Sequence, residues 1–165
     1  NYPEVCFLKA EAAIRGWSGA GDAKSNYEAG IRASFEDARK DADASYYIAD
    51  YKPENDDVYI NGGNVKWDNG ADFEAKLKKI ITQKWIAIYP NGVEAWSEFR
   101  RTGYPLFNPV VACDIDDIKA GEFIKKLRYV DDERSLNPNA TNPSVNNNQG
   151  DGPHVRVWWD TKRYK

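Results

Sequence analysis

The feature that most constrains this chain is a ladder of apolar residues four apart, Ala23, Tyr27, Ile31 and Phe35, bounded upstream by Gly16, Gly19 and Gly21. An α-helix turns once in 3.6 residues, so side chains at this spacing share one face. Asp22 supplies a cap for that helix. Upstream, Pro3 suits a first helical turn, where its missing N–H costs nothing. Val5, Leu8 and Ala12, with Phe7 and Ile14 beside them, predict a helix buried on more than one side and stopped at Gly16. Two helices joined by so short a loop run antiparallel. Glu28–Arg32 and Arg32–Glu36 have the i,i+4 spacing of ion pairs on a solvated face. One helical hairpin cannot bury both its faces, so further hairpins are expected against it, as in a tetratricopeptide-type array. The pattern has no second copy within the 165 residues, which places those neighbours upstream as an expectation.

A second hairpin is predicted over 72–105. Asp72 caps it, and Phe73, Leu77, Ile80, Ile81, Lys84/Trp85 and Ile88 give one apolar face. Pro90-Asn91-Gly92 ends that helix, and Asn91 followed by Glu94 has the capping-box pattern for the next. That next helix carries Ala95, Trp96 and Phe99 inward and stops at Gly103 and Pro105. Between the hairpins, 41–71 reads as a polar and aromatic loop region. Tyr46, Tyr47, Ile48 and Tyr51 suggest a short helix there, Gly62-Gly63-Asn64 a turn, and Trp67 sits in a loop. After 105 the chain is irregular, with a short helix expected over 119–127, a long surface loop over 137–152, and an extended tail at Val155-Arg156-Val157-Trp158-Trp159 lying on the helices. The fold class is therefore mainly α, with tetratricopeptide-like helical hairpins, long irregular loops and an extended C-terminal tail.

Several kinds of chemistry are excluded. The 23 Lys+Arg against 26 Asp+Glu leave a net charge of −3, not the basic field that a nucleic-acid partner needs. No run of about 18 apolar residues provides a membrane-spanning helix. The chain has no Met, so Asn1 is not a natural translation start and a processed product or fragment is expected. Tyr2-Pro3-Glu4-Val5 before Cys6 is neither apolar nor small enough for a lipoprotein cleavage site, so any export signal is expected upstream. Cys6 and Cys113 allow one disulfide or two small idle thiols. No phosphate-cradling glycine loop, G-x-S-x-G, H-E-x-x-H or C-x-x-C pattern occurs, and His154 is the single histidine. Glu94 and Glu98 share a helix face as paired hydrolytic carboxylates do, but Arg100 and Arg101 stand close by and an ion-pair network is the expectation. Asp114, Asp116 and Asp117 lack the fifth-position oxygen and sixth-position Gly of a calcium loop, where Ile118 and Lys119 stand, so a solvated acidic turn is expected and no metal or cofactor is assigned.

One ordered set of motifs goes further. Glu4-Val5-Cys6-Phe7-Leu8-Lys9-Ala10-Glu11-Ala12-Ala13 with Gly16-Trp17, then Tyr27-Glu28-Ala29-Gly30-Ile31-Arg32-Ala33-Ser34, lead into Ile80-Ile81-Thr82-Gln83-Lys84-Trp85-Ile86-Ala87. Asn91-Gly92-Val93-Glu94-Ala95-Trp96-Ser97-Glu98 and Arg100-Arg101-Thr102-Gly103-Tyr104-Pro105 follow, and then Arg128-Tyr129, Glu133 and Val155-Arg156-Val157-Trp158-Trp159-Asp160. This sequence resembles the C-terminal portion of SusD-like (SusD/RagB) outer-membrane lipoproteins. Val130, where the family often has Pro, and Cys6, where Tyr is usual, depart from it as packing changes.

The resemblance implies a non-catalytic receptor on the cell surface of Bacteroidetes-type bacteria. Such a receptor is lipid-anchored through a segment upstream of this chain and captures a nutrient, usually a glycan, for a SusC-like TonB-dependent transporter. On this reading 1–165 is the C-terminal portion of one domain, with hairpins at 1–40 and 72–105, a loop region at 41–71 and an irregular segment at 106–165. Gln83, Lys84, Trp85, Asn91, Glu94, Trp96, Arg100 and Arg101 are read as scaffold, with the arginines pairing to Glu94 or Glu98. A sugar contact within the chain is expected in the loop 57–69, where Tyr59, Asn64, Trp67 and Asp68 combine a stacking surface with amide and carboxylate groups for hydroxyls; for Trp67 the alternative is a side chain folded onto the hairpins. The competing readings are peptide capture within the same family, a helical-repeat protein-interaction module, and a glycoside hydrolase using Glu94 and Glu98.

Overall fold

Asn1 opens the first helix in the computed structural model, which describes residues 1–41, 52–115, 117–140, 142 and 150–160. Its side chain accepts the Glu4 N–H at 3.0 Å, and Pro3 occupies the first turn of α1 (Tyr2–Ile14). The helix ends at Gly16, whose φ of 76° lets two amides turn back, Gly16 N–H onto the Ala13 carbonyl and Trp17 N–H onto that of Ala12, both at 3.0 Å. This is the Schellman arrangement, and it needs a residue that tolerates positive φ. Asp22 then caps α2 (Ala23–Asp41), accepting the Ser25 N–H at 2.8 Å and the Ser25 hydroxyl at 2.7 Å.

Two compact units divide the chain, Asn1–Glu98 and Phe99–Lys165. In the first, α1, α2 and α4 (Phe73–Ala87) pack on one another, and the single turn Pro53–Asn55 leads into the short α3 (Asp56–Ile60) beside α2. Asn1 and the α2 residues Ser34, Phe35, Asp37, Ala38 and Arg39 face the same cavity as Ile86 and Ala87, and Arg15 at the other end of α1 lies 5.3 Å over the Phe73 ring. The helices α2 and α4 therefore both run antiparallel to α1. Asp72 caps α4 through the Ala75 N–H at 2.8 Å, as its sequence indicates. Phe7, Tyr27, Ile31, Leu77, Ile80 and Ile81 are the fully buried centre. Each aliphatic or Phe side chain removed from water there stabilises the unit by about 1.5–3 kcal/mol.

The stripe expected on α1 needs correction. Val5 and Leu8 are 49 % and 46 % exposed, while Pro3, Cys6, Phe7, Ala10 and Glu11 face inward. The position of Phe7 explains the choice of face. Its ring packs edge-on to Tyr27 at 6.2 Å and lies against Gly30, where an added Cβ would sit 2.8 Å from the Phe7 ring. A glycine in a helix interior costs about 1 kcal/mol against Ala, and here it makes room for the largest buried side chain of α1. Inward-facing Glu11 is neutralised by Arg15, at 2.8 Å. The ion pairs expected on α2 also differ. Glu28 pairs with Lys24 and Glu36 with Lys40, while Arg32 reaches across to Asp57. Glu36's carboxyl is held below its ordinary range by its hydrogen bond to Lys40 and then by that cation's charge.

The stripe on α4 holds, with Leu77, Ile80, Ile81 and Ile88 buried. At the ambiguous Lys84/Trp85 position it is Lys84 that turns in. Asn91 caps α5 (Gly92–Thr102) through the Glu94 N–H at 3.2 Å. Gly103 follows the last turn, at φ 78°.

In the second unit, Phe99, Phe107 and Phe123 form an aromatic trio with centroids 5.0–6.2 Å apart. The helix expected over 119–127 is not formed. Gly121 at φ 86° donates its N–H to the Val110 carbonyl, and the Lys125 N–H goes to that of Pro153, so these amides are spent on distant partners and not on a helical ladder. A helix forms instead at α6 (Asp131–Leu136), whose first turn carries Asp131, Asp132 and Glu133 as the helix dipole favours. The tail expected to be extended turns at Trp158 and Trp159. Arg156 and Asp160 pair at 2.6 Å across that turn. The expected helix around Tyr46, Tyr47, Ile48 and Tyr51 and most of the loop 137–152 lie outside the described residues. Cys6 and Cys113 are both free thiols.

The described residues are thus helical, with no strand, and the fold is of the tetratricopeptide-like hairpin kind.

Candidate functional site

The four residues singled out in the loop 57–69 do not converge. Trp67 is 8 % exposed, with its ring 5.2 Å from that of Tyr27 and its indole N–H donated to Asn69 Oδ1 at 2.9 Å. The Tyr27 hydroxyl in turn donates to the Val65 carbonyl at 2.7 Å, and burial pushes that phenol well above its ordinary pKa. The indole therefore pins the loop to α2. Asn64 and Asp68 lie exposed on the same loop. The Asn64 carbonyl accepts from Lys79, and Asp68 Oδ1 accepts the Gly70 N–H at 2.8 Å, closing a turn.

Tyr59 lies elsewhere. It sits on α3, its ring edge-on to Phe35 at 5.1 Å and its hydroxyl donating to Gln83 Oε1 at 3.2 Å. There it lines a cavity of about 590 Å³ within the first unit, between the end of α2, the 53–60 segment and the end of α4. That volume is within the range of small-ligand sites, roughly 300–1,000 Å³. Phe35, Tyr59, Ile86 and Tyr89 supply apolar and aromatic surface, and Ser34, Asn55 and Asn1 supply neutral polar groups. Arg39 donates to both oxygens of Asp56 at 2.9 Å, a two-pronged pair that ties α2 to α3 and fixes one wall. Of the residues lining this cavity, sequence reasoning singled out Tyr59 as a candidate contact, and not Arg39, Asp56 or Phe35. Phe35 lies on the recognised stripe, whereas a pairing 17 residues apart has no local signature.

Glu94 and Glu98 are also placed. Lys84, 1 % exposed, puts its ammonium 3.0 Å from Glu98, 3.2 Å from Glu94 and 3.3 Å from Glu4. Burial by itself would lower the Lys84 pKa, but the charge and hydrogen bond of Glu98, followed by those of Glu94, outweigh it and hold the ammonium above its ordinary value. Both carboxylates thus share a charged lysine, an arrangement that cross-links α1, α4 and α5. Sequence reasoning expected arginines in this role. Arg100 donates to the Lys125 carbonyl at 3.0 Å and lies 4.7 Å over the Trp159 ring.

Among the described residues no three His, Cys, Asp or Glu side chains gather as a metal site would require, and no helix is long and apolar enough to cross a membrane. Asp117 pairs with Arg128, Asp114 is exposed, and Asp116 lies outside the described residues.

Comparison with solved structures gives close likenesses over nearly the whole chain. A SusD homolog from Bacteroides thetaiotaomicron is 36 % identical at a TM-score of 0.77, covering 99 % of this chain and 38 % of its own. A chitin-binding SusD homolog from Flavobacterium johnsoniae is 41 % identical at 0.74, covering 98 % and 36 %. A SusD-like protein from B. thetaiotaomicron is 31 % identical at 0.72, covering 95 % and 36 %. The chain thus spans well under half the length of these relatives. Comparison with curated proteins gives no match. The family model described as SusD-like, Susd and RagB outer membrane lipoprotein, matches residues 1–160. With its helical hairpins and this match over almost every residue, the chain belongs to the SusD-like family of outer-membrane lipoproteins.

Proposed function

We propose that this chain forms part of a non-catalytic receptor that captures an oligosaccharide at the bacterial cell surface and delivers it to a SusC-like TonB-dependent transporter. The observation that carries this reading is the family match over residues 1–160, together with 41 % identity across 98 % of the chain to a SusD homolog that binds chitin. The receptor would be held at the outer membrane by a lipid anchor elsewhere in the polypeptide. The side chains support binding without turnover. Glu94 and Glu98, the two carboxylates on one helix face, are both engaged by the buried Lys84 ammonium at 3.2 and 3.0 Å, in a cluster that joins helices. For ligand contact, Tyr59 offers its ring at the cavity, and Asn64 and Asp68 offer exposed polar groups on the loop that Trp67 anchors.

Calorimetric titration with a panel of oligosaccharides and a panel of short peptides tests the reading. Saturable binding of an oligosaccharide is the expected result. Binding confined to peptides would transfer the protein to the peptide-capturing branch of the family, and binding of neither would remove the nutrient role from this chain.

A further inference from the structure

Asn61, Asn69 and Asn91 each precede a glycine. In such a pair the glycine amide nitrogen can attack the asparagine side-chain carbonyl with no Cβ of its own to hinder the approach. The attack needs a base for the amide proton and a donor for the oxygen that becomes negative. At Asn69–Gly70 the fold supplies both. The Gly70 N–H is donated to Asp68 Oδ1 at 2.8 Å, so a carboxylate already rests on the proton that must leave. The Trp67 indole N–H is donated to Asn69 Oδ1 at 2.9 Å, on the oxygen of the carbon under attack. An indole only donates, so this bond also fixes which end of the amide is oxygen. Trp67 is itself held against the Tyr27 ring at 5.2 Å, and Lys76 holds the Asn69 backbone carbonyl at 2.9 Å. Asp68, Asn69 and Gly70 are exposed, so water reaches the reacting atoms. The other two pairs lack this set. The Gly62 N–H goes to the Tyr59 carbonyl at 3.1 Å and the Gly92 N–H to that of Pro90 at 2.9 Å, so neither proton rests on a carboxylate.

We propose that Asn69 is a self-catalysed modification site that closes an imide with Gly70 and ends as aspartate or isoaspartate, with Asp68 as the base and the Trp67 indole as the oxyanion donor. The Gly70 nitrogen forms a bond to Asn69 Cγ as its proton passes to Asp68. The carbonyl electron pair collects on Oδ1, against the indole N–H. That pair then reforms the carbonyl, the Cγ–Nδ2 bond breaks, and Asp68 returns its proton to the departing nitrogen, which leaves as ammonia. Water adds to one of the two imide carbonyls and reopens the ring. Opening at Cγ leaves aspartate in a normal main chain. Opening at the backbone carbonyl leaves isoaspartate, with an extra methylene in the main chain of the loop that Trp67 and Lys76 pin. The site is independent of the glycan-capture reading.

Peptide-mapping mass spectrometry of the folded protein, incubated at neutral pH and sampled over time, reads conversion at all three pairs in one sample. Chromatography of the peptides separates aspartate from isoaspartate. The comparison set is Asp68→Asn, which keeps an acceptor for the turn and removes the base, Trp67→Phe, which keeps a ring and removes the donor, and the unsubstituted protein in urea. In the folded protein Asn69 should convert at least about tenfold faster than Asn61 or Asn91. Its conversion should slow by about tenfold or more in Asp68→Asn and in Trp67→Phe, with Asn61 and Asn91 unmoved, and its lead should vanish in urea. Asp68 is exposed, so its variant spares the core and decides the matter if Trp67→Phe fails to fold. Conversion of Asn69 no faster than the other two, or unchanged in Asp68→Asn, would overturn the proposal. A lead that persists in urea would assign it to the local sequence and overturn the role of the fold. Faster conversion in a folded Trp67→Phe would overturn the role of the indole.

Discussion

The two units are held by different means. In Asn1–Glu98, long helices bury aliphatic side chains at regular spacing, and one buried lysine gathers carboxylates from two neighbouring helices. In Phe99–Lys165, an aromatic trio, a guanidinium over an indole and amide pairs between distant loops take that role. The first kind of order repeats locally along the chain, whereas the second exists only once remote segments have met. This contrast decides which substitutions spread through a unit and which stay local.

The sharpest way to break the contrast is Lys84→Met. It leaves Glu98 buried beside the gap without its cation, and should cost about 3–5 kcal/mol of unfolding free energy. A urea midpoint within the error of the unsubstituted protein would show that the cluster does not cross-link the helices. The same residue makes a pH prediction. Its folded pKa lies above the ordinary lysine value of 10.5, so its stabilisation is complete below that value and is lost as pH rises through the folded value. The gap in stability between the unsubstituted protein and Lys84→Met should therefore stay constant from neutral pH to about 10 and close only beyond it. A gap that closes between neutral pH and about 10 would contradict this assignment.

A counterpart in the second unit is Asp151→Asn. Asp151 accepts from Lys126 and from the Tyr129 N–H at 3.1 Å, and its loss should cost about 1.5–3 kcal/mol. Faster hydrogen exchange should be confined to 99–165; exchange spreading into α1 and α2 would mean the units are not separately held. Gly30→Ala comes next. The added methyl meets the Phe7 ring, and overpacking of about 1–3 kcal/mol should exceed the helix-propensity gain of about 1 kcal/mol. A paired Phe7→Leu should recover part of the loss, and a more stable single variant would contradict the close approach. The smallest effect, about 1 kcal/mol, is expected for Asp72→Ala, which removes one helix cap.

The same contrast explains what could be read in the sequence. Caps and breaks were legible, because Asp22, Asp72, Asn91 and Gly16 act on amides within three or four residues. The faces of α2 and α4 were legible because a single stripe runs along each. On α1 two apolar stripes compete, Val5/Leu8 and Cys6/Phe7/Ala10, and only the notch at Gly30 decides between them. The Arg39–Asp56 wall, Arg32–Asp57 and the Lys125–Pro153 amide bond join segments far apart in the chain, so no local pattern announces them. Of the four candidate contact residues, Tyr59 reaches the cavity, while Trp67 is used in packing against Tyr27, which is itself the central residue of the α2 stripe.

The most direct measurement is a calorimetric titration of the protein with the oligosaccharide panel, followed by mass spectrometry of the recovered sugar. Capture without chemistry requires a saturable heat of binding and a ligand returned at its original length. Shortened products, or no heat with any sugar, would contradict it.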